Sequence, residues 1–371
     1  MPSAITIDSA ELRLVELPLL TPFKIATGTQ TRKVFPLLIL RSSGVEGYAE
    51  GVSDVLPDYL PETNVTSMLM LREVFLPQIV GQSFDTPWQL ERLMRPWRDH
   101  QMAKACVEMA FWDLWAKVLG QPLRALLGGT KTEVEVGVSL GIKEIPATLN
   151  DVAAHVQQGY RRIKLKVMRG HDLRLLDAVR ARFPDVHLTV DANCAYTLAD
   201  LPLLRRFDAY GLDYVEQPLA WNDYVDHAVL QRALATPVCL DECIRSSAEC
   251  RKALAMGAGQ VVNIKVGRVG GHVEAKRIHD ICQAWDVPVW CGGMLEAGVG
   301  RAHNIHLSTL EGFSKPGDTS SASRYFERDI VVERLETENG IMPVPSAGPG
   351  IGVTLDYDYL ETVSASVERF G

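Results

Sequence analysis

Along the first fifty residues apolar and polar positions alternate. The runs "ITIDSAELRLVELPL" and "VFPLLILRSSGVEGYAEG", the second broken by a Ser-Gly turn, predict an antiparallel meander over residues 4–55. Between residues 62 and 128 the spacing becomes helical. It ends in "KACVEMAFWDLWAKVLGQPLRALLGG", where Gly128 and Gly129 supply a C-terminal stop. From about residue 133 the rhythm changes again. Short β-branched runs recur: "VEVGVSL", "RIKLKV", "HLTVDA", "LDYVEQP", "PVCLDE", "QVVNIKVG" and "PVWCGG". Each precedes a helical stretch such as "TLADLPLLRRFDAYG", "VDHAVLQRALAT" or "GHVEAKRIHDICQAWD".

Strand–helix units at a period of about 25 residues predict a parallel sheet. Seven precede residue 295, and an eighth short strand falls near "FSKPGD", enough to close a barrel. A doubly wound open sheet explains less, because no GxGxxG opens a helix after the first strand. The Gly-rich "VGRVGGH" reads as a loop or turn. The tail, 330–371, reads as loop-rich and packed back on the first region.

Composition narrows the function. A net charge of -8 opposes binding to nucleic acid or to anionic membranes. The most apolar helical stretch, "CVEMAFWDLWAKVLG", is interrupted by Glu108, Asp113 and Lys117, so no bilayer span is expected. The amino terminus lacks the basic and apolar segments of a secretory signal. Seven cysteines without a CxxC pair read as small buried hydrophobes, and the expected location is the cytoplasm. The tryptophans fall in helical or strand patterns and read as packing residues.

Chemistry gathers where the strands end. In "RRIKLKVMRG", Lys164 and Lys166 share one face of a strand. The next strands end in Asp191, Glu216, Asp241 and Lys265. The carboxyl rim of a barrel is where active sites lie. Adjacent strands sit ~4.8 Å apart, so three acids from three neighbouring strands crowd one another. A divalent cation resolves the repulsion, and all-oxygen ligands favour Mg²⁺ or Mn²⁺ over zinc. Strands two and six face each other in a ring of eight. Lys166 and Lys265 then flank a metal-held substrate from two sides. Like charge from Lys164, and the metal, are expected to lower the lysine pKa toward a working base. A metal-held carboxylate acidifies its α-carbon. Base and acid on opposite faces give racemisation, and a β-leaving group gives elimination.

The motifs "KLK", "VDAN", "VEQP", "LDE" and "NIKVGRVGG" resemble the enolase superfamily in its muconate-lactonising subgroup. The segments "CGGMLEAGVGRAHNIHLSTLEGF" and "PGDTSSASRYFERDI" are similar to those of N-acylamino acid racemases that also carry o-succinylbenzoate synthase activity. The resemblance covers essentially the whole chain. It implies an α/β protein: a (β/α)₇β modified TIM barrel over 131–325 and an α+β capping domain over 1–130, completed by 326–371. Asp191, Glu216 and Asp241 would bind Mg²⁺, with Mn²⁺ or Co²⁺ as substitutes. Lys166 and Lys265 would be the acid/base pair, and Lys164 an electrostatic partner near the substrate carboxylate. Ser139, Asn193, the Gly293–Met294 turn and Asp318 match pocket positions. "LLTPFKIATG" resembles a loop closing over the substrate, with Phe23 an apolar wall. Ala26-Thr27 stands where Thr-Ser is usual, Cys194 where Ser is common, and Ala297 where Ser or Thr is. The expected partners are a small carboxylate substrate and further copies of the chain, from a dimer to an octamer. A catalytically silent binding barrel is the reading from another class; five buried charges kept together argue against it.

His303 and His306, three apart on a predicted helix, lack an acidic companion at helical spacing and read as structural. Glu242 is expected to point away from the cation, in a supporting role. Glu296, beside the pocket turn, has no assigned part.

Overall fold

The computed structural model describes residues 4–24 and 29–371, so the expectation about Ala26 and Thr27 lies outside the described residues. The predicted meander forms. Ser9–Lys24, Thr29–Ser42 and Val45–Glu50 pair antiparallel, and Ser364–Phe370 joins the outer edge of the first. Leu12, Val15, Leu17, Phe35 and Leu37 to Leu40 are buried in this sheet. It packs on the helix Gln101–Val118, of which fourteen residues are buried. A helix buried on nearly every side is a core helix, which explains its apolar content without a membrane. Gly47 lets sheet and helix touch: a Cβ there would lie 2.3 Å from the Ala110 carbonyl oxygen. Among the described residues no helix is long and apolar enough to cross a membrane.

Seven parallel strands follow in hydrogen-bonded sequence order: Val138–Leu140, Ile163–Lys166, Leu188–Asp191, Val215–Glu216, Val238–Leu240, Val261–Ile264 and Val289–Cys291. The expected eighth strand is present only as single bridges. Phe313 pairs with Val289, and Gly317 with Val136. Gly137 N donates to Gly317 O at 2.8 Å and Asp318 N to Cys291 O at 2.9 Å. This segment stands between the first and seventh strands and closes the ring. Pro316, with no N–H to give, keeps it from a regular ladder.

Three expectations change. "VGRVGGH" holds a helical turn, Val266–Val269, stopped by Gly270 and Gly271 at φ 103 and 104. The helix expected in "TLADLPLLRRFDAYG" is a four-residue α-turn, Leu201–Leu204, between 3-10 turns at Leu198–Asp200 and Arg205–Tyr210. The tail divides. Ser364–Phe370 joins the first sheet, whereas Ile341–Pro343 pairs with Glu133–Glu135 where the chain enters the barrel.

Acids from the first region tie it to the barrel. Glu108 accepts from His272 N and Val273 N at the start of the helix His272–Ala284. Glu50 accepts from Ala297 N and Gly300 N at the start of the helix Gly298–Leu307. Both satisfy N–H groups that a helix start leaves unpaired. His303 and His306 belong to the same seam. Their Nε2 atoms lie 2.9 Å from Tyr48 O and 3.0 Å from Ile351 O. Burial pushes the two imidazoles down to about 4 and about 3.

Candidate active site

Period-two alternation sends Arg162, Lys164 and Lys166 to the inside of the ring, and all three are buried. Lys164 lies the deeper of the two lysines, its Nζ 4.7 Å from the centre of the Trp290 ring. The ammonium groups meet the rim acids directly. Lys166 donates to Asp191 Oδ2 at 2.5 Å and to Asn193 Oδ1 at 2.7 Å. Lys164 pairs with Glu216 at 3.0 Å and Asp318 at 2.6 Å. Lys265, immediately after the sixth strand, donates to Asp241 Oδ2 at 2.9 Å. The twin lysines therefore face an interior lined with carboxylates.

The three acids are at most 1% exposed. Asp191 and Glu216 are register partners on adjacent strands, and Asp241 follows the next strand. Among the described residues no three His, Cys, Asp or Glu side chains form a cage for a metal ion; each acid leans on a cation of the chain. Burial and the Asp191 charge push the Glu216 carboxyl above its usual range. Burial opposes ionisation of Asp191 too, yet Lys166 and Lys164 hold its pKa down. Lys164 and Lys265 both stand above the usual lysine range. Burial does press both downward, but it is outweighed. Asp318, Glu216 and Asp191 raise Lys164, and Tyr59, Glu242 and Glu216 raise Lys265. Acids at contact distance act more strongly than a neighbouring like charge.

Two small adjoining cavities, of about 60 and 70 Å³, open over this rim. Both are bordered by Phe23, Lys166, Lys265, Gly293 and Leu295. Ser139, Lys164 and Asp318 line the first, Asn193 and Met294 the second. Every pocket residue expected from the sequence thus borders the space above the acids. A wider groove, of about 760 Å³, lies between residues 91–104 and the outer barrel helices. Arg277 pairs there with Glu91 and Arg245 with Glu249, and none of the rim acids or lysines lines it.

Supporting residues explain the geometry. Asn193 passes Lys166 on to Glu242, its Nδ2 donating to Glu242 Oε1 at 3.0 Å. Burial, with Asp191 nearby, pushes the Glu242 carboxyl up to about 7. Glu296, unplaced from sequence, accepts from Met294 N at 2.7 Å and from Asn304 Nδ2 at 2.9 Å. It fastens the pocket turn to the following helix. Cys194 and Ala297 stand beside these residues, Cys194 half-buried and Ala297 at the start of that helix. Asn193, Cys194, Gln217 and Leu295 hold φ between 35 and 63. Left-handed backbone at non-glycine positions is costly and clusters where function demands it.

Sequence reasoning missed Tyr59 and Arg268. Tyr59 reaches in from the first region, its hydroxyl 2.9 Å from Lys265 Nζ. Arg268, on the helical turn after Lys265, pairs with Asp241 and donates to Asn263 O at 2.7 Å. Its place in "NIKVGRVGG", three residues beyond Lys265, was the available signal; Tyr59 had none.

The chain matches the family description "Mandelate racemase / muconate lactonizing enzyme, N-terminal domain" over residues 9–128 and "Enolase C-terminal domain-like" over residues 148–359. The chain belongs to the enolase superfamily. Within it, the sequence is 53% identical to an N-succinylamino acid racemase of Thermus thermophilus over 359 residues, 96% of this chain and 97% of the relative. It is 48% identical to an o-succinylbenzoate synthase of Geobacillus kaustophilus over 369 residues, 99% of this chain and 98% of the relative. A crystal structure of an enolase superfamily member from Listeria innocua superposes with a TM-score of 0.95 at 41% identity, covering 99% of both chains. Superfamily membership accounts for a capping sheet set against a parallel barrel whose rim carries the acids.

Proposed function

We propose that the protein racemises N-succinylamino acids by exchanging the α-proton between two faces of the substrate, with Lys166 and Lys265 as the acid/base pair. The observation that carries this reading is their placement. One lysine ends the second strand of the ring and the other follows the sixth, and both border the same cavities. A planar, proton-depleted α-carbon between them can lose hydrogen to one and regain it from the other. Each amine must be neutral when it acts as base, so a cation on the acids has to release it from its carboxylate partner.

Asp191, Glu216 and Asp241 fit a hard divalent ion by their chemistry: three buried oxygen donors at neighbouring rim positions, with Glu216 already disfavoured as an unpaired anion. We propose Mg²⁺, with Mn²⁺ and Co²⁺ as substitutes. When bound, the ion supplies Lewis acidity that stabilises the negative charge developing on the substrate carboxylate. The chain's own residues do the rest. Lys164, fixed by Glu216 and Asp318, adds positive potential beneath the substrate carboxylate. Ser139, Asn193, Gly293, Met294 and Asp318 line the binding space, and Phe23 walls it.

The second reading is dehydration to o-succinylbenzoate. It is supported by the identity to enzymes of that name and uses the same α-proton abstraction. The proposed organisation is a capping unit of residues 1–130 and 326–371 around a barrel of 131–325. A cytoplasmic homo-oligomer, dimer to octamer, is proposed with it; a monomer in sedimentation would remove the last point. The deciding experiment incubates each enantiomer of an N-succinylamino acid with the protein and Mg²⁺ in D₂O. Deuterium at the α-carbon and the opposite enantiomer are expected. Exchange at neither enantiomer rejects the racemase reading.

A further inference from the structure

Four arginines are buried: Arg13, Arg162, Arg268 and Arg301. Three of them face a carboxylate, respectively Glu11, Asp318 and Asp241. Arg301, on the helix Gly298–Leu307, has no carboxylate within ion-pair distance among the described residues, and the undescribed positions carry no acid. Its guanidinium Nη2 donates to Glu296 O at 2.8 Å and its Nη1 to Ser320 O, while Nε donates to nothing. Carbonyl dipoles orient a guanidinium without cancelling its charge, and arginine cannot shed the proton as lysine can. A buried unpaired charge is costly, so the position calls for an anion.

That anion has an obvious way in. Arg301 borders the 60 Å³ cavity shared by Ser139, Lys166, Lys265 and Asp318. Two acids stand in the cavity wall: Asp318 is already held by Arg162 and Lys164, and the Glu296 carboxylate accepts from Met294 N and Asn304 Nδ2. Among the cations bordering this cavity, Lys164, Lys166 and Lys265 each touch a carboxylate, and Arg301 makes no contact ion pair among the described residues. We propose that Arg301 is a specificity-determining residue that receives the terminal carboxylate of a dicarboxylic acyl group on the substrate. The assignment rests on the racemase reading above and deepens it: half-amides of dicarboxylic acids should be preferred to neutral N-acyl amino acids. Tyr325 and Phe23, edge to face with ring centres 6.5 Å apart, supply apolar wall for the methylenes between the two ends. Both relatives named above carry a succinyl group in their names.

The test compares N-succinyl- and N-acetyl-L-phenylalanine on wild type, Arg301→Gln and Arg301→Lys. Racemisation rates and calorimetric Kd values are measured with Mg²⁺ present, and thermal midpoints check folding. Wild type should favour the succinyl compound. Arg301→Gln should lose about 100-fold in kcat/KM on it, at least about 30-fold more than on the acetyl compound, with a parallel change in the Kd ratio. Arg301→Lys should restore part of the preference. Equal losses on both compounds would make Arg301 a brace for the segment around Ser320 and overturn the proposal. If wild type racemises neither compound, the racemase reading fails by itself. The Kd ratio still decides: a succinyl preference removed by Arg301→Gln upholds the assignment, and its absence in wild type overturns it.

Discussion

The hydroxyl of Tyr59 and the ammonium of Lys265 stand 2.9 Å apart, although 206 positions separate them in the chain. The same hydroxyl lies 3.4 Å from both Asp241 oxygens, and the ammonium sits 4.7 Å from the centre of the tyrosine ring. The first region of the chain thus holds the proposed acid/base lysine of the second. Tyr59→Phe keeps the ring and removes the hydroxyl. It should lower kcat about tenfold, as expected for one hydrogen bond to a charged group, with little change in thermal midpoint. Steady-state kinetics beside a melting curve measure both, and an unchanged kcat would reduce Tyr59 to a packing residue.

Removing either lysine should separate the two faces. Lys166→Ala and Lys265→Ala should each lower racemisation by about 10²–10⁴-fold. Each should retain α-deuterium exchange with only one enantiomer, and the two should retain opposite ones. Proton NMR in D₂O reads this directly. Normal exchange of both enantiomers by both variants would refute the two-face assignment.

Chelation should abolish turnover, and Mg²⁺, Mn²⁺ or Co²⁺ should restore it. Ion binding should also raise the thermal midpoint, because the ion binds the folded site and not the unfolded chain. Full activity after exhaustive chelation, with no shift on adding the ions, would remove the cation from the proposal.

Glu50 gives a pH dependence of stability. Burial, with help from Asp329 and Glu296, pushes its carboxyl up to about 8 although Gly300 N and Ala297 N favour the charged form. The folded state therefore binds a proton that the unfolded chain releases from about pH 4.5 upward. Its contribution is fully present below that pH and is lost as pH rises through about 8. Denaturation measured from pH 5 to 8.5 should show stability falling with pH. Glu50→Gln should flatten that slope, and an unchanged slope would assign the effect to other groups.

Much of the fold was legible because strand and helix periods are local properties. The alternation in "RRIKLKVMRG" placed Lys164 and Lys166 on one face, and short strands in a steady rhythm put Asp191, Glu216, Asp241 and Lys265 on one rim. The ring closure was located but not its form. A segment containing Pro316 and Gly317 closes the sheet by single bridges, which carry no periodic signature.

The sequence by itself determined which charged groups stand at which strand ends, because each side chain's direction follows from its own strand. Tertiary structure alone decided which charges meet. The pairing of Lys166 with Asp191 and of Lys265 with Asp241, and the reach of Tyr59 to Lys265, depend on ring curvature and on how the capping sheet is seated. So does the absence, among the described residues, of a carboxylate at contact distance from Arg301. Its helix fixed a spacing, but only packing against Glu296 and Ser320 settled what its guanidinium would touch. Charge pairing falls off over a few ångströms and ignores distance along the chain, so it is settled only when the chain has closed on itself.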